Sequence, residues 1–78
     1  MNKIKCFFGN VDDVKDFTKS ITGLDCNVDA SYENQVVDAK SLLGVFSLFN
    51  HELDIVLHSD DEEITQKFEK ICKKFEVV

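Results

Sequence analysis

Leu24, Cys26, Val28, Ala30 and Tyr32 alternate without a fault with Asp25, Asn27, Asp29 and Ser31. Successive side chains leave a strand on opposite sides, so this pattern specifies a β-strand with one covered face and one wet face. Parallel sheets are covered on both faces; this strand therefore belongs to an antiparallel sheet with one side in water. Such a sheet needs a cover, and the other apolar patterns of the chain must provide it.

They do. Ile4, Cys6 and Phe8 alternate with Lys3 and Lys5 as a first strand. Gly9-Asn10 ends it, and Asn10 followed by Asp12 and Asp13 reads as a helix N-cap with acids in the first turn. Val14, Phe17 and Ile21 recur at helical spacing up to Gly23, a C-cap residue. Glu33-Asn34 is a tight turn into a short strand, Gln35 to Ala39. Leu53, Ile55 and Leu57 alternate with Asp54, Val56 and His58 as a fourth strand. Ser59 through Glu62 matches a capping box, with Ser59 as the cap of a last helix. That helix buries Ile64, Phe68, Ile71, Cys72 and Phe75 and pairs Glu63 with Lys67 and Glu69 with Lys73 at i,i+4 spacing.

Residues 40–49 are too apolar for one stripe of a surface helix. A short helix starting near Ser41 sends Val45 and Leu48 to the core and leaves Leu42 and Phe46 open between core and exposed patch. The order is β-α-β-β-α-β-α. It predicts one α+β domain over residues 1–78: an open-faced sandwich with a four-stranded antiparallel sheet and helices on one face.

Charge narrows the partners. The nine basic residues are all Lys, and the net charge is −6. Nucleic acid is therefore not expected as a partner, and no Arg is present for bidentate phosphate binding. Residues 9–61 hold three Lys against eleven acids, a local −8, which opposes anionic ligands there. Cys6, Cys26 and Cys72 are odd in number and far apart, as expected of a reducing, cytoplasmic setting. Cys26 and Cys72 fall on apolar faces and read as small core residues. His51 and His58 share no ligand spacing with any Cys, so neither a metal nor a cofactor is expected. No signal peptide or membrane segment is visible.

The stretch from Tyr32 to Leu48, Y-E-N-Q-V-V-D-A-K-S-L-L-G-V-F-S-L, resembles the regulatory-serine region of HPr, the histidine-containing phosphocarrier of the bacterial sugar phosphotransferase system. The family pattern is close to V-x-A-K-S-I-M-G-V-M-S-L, and the order of elements is also HPr's. The resemblance implies an HPr-like fold and makes Ser41 the counterpart of the serine that a dedicated kinase phosphorylates. It places Leu42, Leu43, Phe46 and Ser47 in a partner-docking surface. Taken from spacing alone, Ser41 is a helix cap, which is compatible with a phosphosite. Lys40 reads as solvated.

The likeness stops at the carrier site. Counting back from Ser41 without gaps, the family's phosphorylated histidine falls at Asn10, its arginine at Asp12 and its proline at Asp13. An amide cannot carry a phosphoryl group as an imidazole does, and a carboxylate in place of arginine repels one. Asp12, Asp13 and Asp16 read as a solvated first turn able to steer a basic partner. His51 and His58 flank the fourth strand and do not substitute.

Three classes follow. The first is a non-catalytic, HPr-like regulatory or interaction protein, Crh-like in lacking the carrier histidine. Its partners would be proteins, such as an HPr-type serine kinase or a transcription regulator, and it would be a monomer or weak dimer. The second is a small-molecule-sensing or purely structural domain of the same fold without phosphorylation. The third, a carrier of another group on Ser41, is disfavoured: the acyl-carrier motif is D-S-L on an all-helical bundle, and here the serine follows Lys40.

Overall fold

The computed structural model describes residues 2–77. The strand Leu53–His58 turns Leu53, Ile55 and Leu57 to one side, each with 0% exposure, while Asp54, Val56 and His58 face the other. Each such side chain contributes about 1.5–3 kcal/mol on burial. The strand is central because it is paired along both edges. In chain order the elements are β1 (Asn2–Cys6), α1 (Val11–Thr22), β2 (Asn27–Tyr32), β3 (Gln35–Asp38), α2 (Leu42–Ser47), β4 (Leu53–His58) and α3 (Glu62–Lys73).

The sheet runs β1-β4-β2-β3, and every pairing is antiparallel. Ile4 lies opposite Ile55 in one ladder and Ala30 opposite Ile55 in the next, so the inward residues line up across three strands. β4 thus fills the gap between β1 and β2, which run parallel to each other; the β1-α1-β2 unit is a split βαβ. Val14, Phe17 and Ile21 of α1 and Phe68 and Cys72 of α3 close over the inward face. Phe8, Phe17 and Phe75 form an aromatic cluster there, with ring centroids 4.8 to 6.0 Å apart. The predicted fold class and order of elements hold.

Several boundaries differ, each for a local reason. β2 begins at Asn27, not Leu24, although the alternation runs back to Leu24. Leu24 N–H donates to the Ile21 carbonyl at 3.0 Å, and Lys40 Nζ donates to the Leu24 carbonyl at 2.6 Å, so residues 24–26 close the end of α1. Lys40 is therefore a tether and not the solvated side chain expected. Leu24 is buried, but Cys26 is only half-buried. β1 stops at Cys6, and Phe8 reaches the core from outside the strand. β3 stops at Asp38; Ala39 turns inward as its N–H donates to the Val28 carbonyl at 2.8 Å.

Glu33 in the β2–β3 turn has φ 55°, in the left-handed region where Glu costs about 1 kcal/mol relative to Gly. Gly23 does cap α1, but at φ −73°, so its special freedom is unused.

The cap of α3 is Asp61, not Ser59: Asp61 Oδ1 accepts from Ile64 N–H at 3.0 Å. Ser59 Oγ instead accepts from Asp61 N–H at 3.0 Å, shaping the turn before the helix. Of the expected i,i+4 pairs, Glu63–Lys67 forms at 3.7 Å, whereas Glu69 and Lys73 make no ion pair among the described residues. Beyond α3, Phe7 N–H donates to the Phe75 carbonyl at 2.9 Å and Val77 N–H to the Lys5 carbonyl at 2.8 Å, tying residues 75–77 to β1.

Because Asp61 satisfies a free helix donor, Asp61→Ala is expected to lower the unfolding free energy by about 1 kcal/mol. Ser59→Ala should cost visibly less. Urea titrations of the two variants check the assignment; a larger loss for Ser59→Ala would return the cap to Ser59.

Candidate functional site

α2 is six residues long and carries no charge. Ser41 caps it: its Oγ accepts from Gly44 N–H at 3.0 Å, and its carbonyl accepts from Val45 N–H at 3.0 Å. Upstream, Asp38 closes the approach, its carbonyl accepting from Ser41 N–H at 3.0 Å and its Oδ1 from Lys40 N–H at 2.9 Å. A Cβ on Gly44 would stand 3.2 Å from Ser41 Oγ and 3.3 Å from Val37 Cβ. Glycine here lets the helix approach both its own cap and β3.

That close seating fixes which side chains point inward. Val45 and Leu48 are buried, as their spacing predicts. Leu42, Leu43 and Phe46 are 40%, 82% and 43% exposed, which resolves the open reading of Leu42 and Phe46 in favour of the surface. The Phe46 ring stacks on Phe49 with centroids 5.5 Å apart and planes 9° from parallel, extending the apolar surface. Ser47 is exposed, and its hydroxyl donates to the Gly44 carbonyl at 2.6 Å. The structure therefore brings Ser41, Leu42, Leu43, Phe46 and Ser47 together on one short helix and its cap.

At the start of α1, Asn10 is the N-cap, its Oδ1 accepting from Asp13 N–H at 2.8 Å. Asp13 Oδ2 accepts from Gly9 N–H at 3.4 Å, so the cap is closed from both sides by the chain's own oxygens. Asp12 is exposed beside it. A carboxylate in this first turn already satisfies the dipole that an incoming phosphate would otherwise meet. Phe7 and Val11, 39% and 40% exposed, flank this end.

Neither histidine joins these residues. His58 is the last residue of β4 rather than a flank, and its Nε2–H donates to Asp29 Oδ2 at 2.7 Å on the open sheet face. His51 stacks on Tyr32 with ring centroids 4.1 Å apart. Among the described residues no group of three or more His, Cys, Asp or Glu could hold a metal ion, and no helix is long and apolar enough to cross a membrane.

No family model matches the chain and no curated protein matches its sequence. Among solved structures it is similar to a crystal structure of HPr-C-His from Thermoanaerobacter tengcongensis. The TM-score is 0.72 at 16% identity, over 95% of this chain and 93% of that one. The fold is HPr-like. At that identity the likeness concerns architecture, and the side chains must speak for themselves.

The thiols offer no exposed nucleophile in the core. Cys6 and Cys72 are both fully buried, and Cys6 Sγ–H points to the Cys72 carbonyl at 3.9 Å. Hydrogen bonding with Cys6, then burial, then the Cys6 and Glu76 charges push the Cys72 thiol well above its ordinary range. It stays protonated in the fold, while in the unfolded chain it ionises near pH 8.5. Its contribution to stability is intact below that pH and is lost as the pH rises past it. The urea midpoint is thus expected to fall between about pH 8 and pH 10, and less steeply in Cys72→Ala. Equal slopes in the two proteins would remove Cys72 as the cause.

Proposed function

We propose that the chain is a non-catalytic, HPr-like regulatory protein that docks protein partners through α2 and is phosphorylated on Ser41. One observation carries the reading: Leu43, Leu42 and Phe46 stand in water on an uncharged helix whose remaining large apolar residue, Val45, is buried in packing. Contiguous large apolar side chains that folding leaves exposed mark a partner surface. The A-K-S-L-L-G-V-F-S-L motif adds the likeness to the regulatory-serine region of HPr.

A phosphate on Ser41 would add about −1.5 to −2 charges and turn the Oγ that accepts from Gly44 N–H into an ester oxygen, with the phosphate oxygens as stronger acceptors beside it. The apolar surface would gain a charged border, so one modification could change which partner fits. A serine kinase and a transcription regulator are the partner types this implies. Asp12, Asp13 and Asp16 on α1, which packs against α2, would favour partners with basic surfaces. Relay through a histidine is not proposed, because Asn10 and two carboxylates occupy the matching stretch.

Incubation with an HPr serine kinase and ATP is expected to add the mass of one phosphate to the chain and none to Ser41→Ala. That variant should also lose about 1 kcal/mol of stability as a cap deletion, so its fold is checked first. Leu43→Lys should slow the modification without affecting stability. With phosphoenolpyruvate and the first phosphotransferase enzyme, no acid-labile phosphate should form. An unmodified mass under conditions that modify HPr would favour the sensing or structural reading, and acid-labile phosphate would restore a carrier.

A further inference from the structure

The helix layer holds a groove that the sheet and α2 do not touch. It runs between α1 and α3, with a volume of about 420 Å³. That lies within the range of small-molecule pockets, roughly 300–1,000 Å³. Its apolar floor is Leu24, Ile71 and Phe75. Phe75 is held by Phe8 at 5.2 Å and by Phe17 at 6.0 Å between ring centroids, so the floor is set before any ligand arrives.

The rim has the opposite sign to the molecule. Lys67, Lys70 and Lys74 line it against a single acid, Asp16, in a chain of net charge −6. Positions 67, 70 and 74 fall on one helical face over the floor. Lys67 lies 3.7 Å from Glu63 and Lys74 lies 4.0 Å from Asp16, both exposed pairs that constrain little. Lys70 makes no ion pair among the described residues. An ammonium is a compact point charge with three donors, suited to a single carboxylate head rather than a planar bidentate group.

We infer that this groove binds a small amphipathic carboxylate, its apolar body on Leu24, Ile71 and Phe75 and its head against the lysines, with Lys70 as the main contact. A cation of the same shape would meet the ammonium rim and be rejected. No residue of α2 or its Ser41 cap lines the groove, so the site stands or falls separately from the docking reading.

The test uses decanoate with the full chain, followed by amide NMR shifts. Saturable shifts centred on Ser20, Gly23, Leu24 and Ile71 are expected, with acetate inactive and decyltrimethylammonium weak. Lys70→Glu should raise the dissociation constant about tenfold, since it removes an attraction and adds a repulsion. Ser20→Phe, which fills the groove from α1, should abolish the shifts; shifts in distant residues show that both variants are folded. Decanoate shifts elsewhere or absent, equal shifts from the cationic detergent, or unchanged affinity in Lys70→Glu would each overturn the assignment.

Discussion

The fold depends on one buried face: Leu53, Ile55 and Leu57 of β4 lie at 0% exposure beneath two amphipathic helices. β4 is the strand on which β1 and β2 both rest, so its inward row sets the register of three strands together. A slip of one residue would turn these three into water and bring Asp54 and His58 inside. The helices are positioned by the same face. Their apolar stripes must meet it, and that leaves α2, the shortest helix, at the margin with room for only part of its apolar content.

This marginal position explains how one helix can serve packing and display at once. Val45 and Leu48 reach the core because Gly44 allows the backbone close to Val37 and to the Ser41 cap. Leu42, Leu43 and Phe46 are then carried outward by helical geometry alone. The start of α1 is a contrasting case. Asn10 Oδ1 takes the Asp13 N–H and Asp13 Oδ2 takes the Gly9 N–H just upstream, so that end carries its own structural cap. In one molecule, a helix start is closed by acids while a neighbouring short helix is left apolar and uncharged.

Much of this was legible in the chain because each strand and each long helix has a clean period. The alternation in Leu53 to His58 and the 3.6-residue spacing of Val14, Phe17 and Ile21 correspond directly to buried faces. Pattern and structure part where a local bond overrides the period. Leu24 to Cys26 continue the alternation of β2, yet Lys40, sixteen residues away in sequence, holds the Leu24 carbonyl and ends the strand early. Ser59 begins an S-x-x-E pattern, but the helix starts at Glu62, which makes Asp61 the residue whose carboxylate reaches the Ile64 N–H. The partition of α2 could not be read because it depends on how near Gly44 comes to β3. The lysine-rimmed groove has no pattern of its own in the chain: Lys67, Lys70 and Lys74 share a helical face, but they border a groove only because Leu24 and α1 lie opposite them.

The bonds from Phe75 and Val77 to β1 have a bearing beyond the local tie. β1 is an outer strand, and its unpaired N–H and C=O groups would otherwise offer a template to any extended chain. Residues 75–77 occupy that margin at Lys5 and Phe7, so this end of the border is already paired. The opposite border, β3, has only four residues and leaves Val36 65% exposed between Gln35 and Val37. The chain thus pairs one end of β1 with its own backbone and keeps β3 short, and each of these narrows the edge open to strand addition.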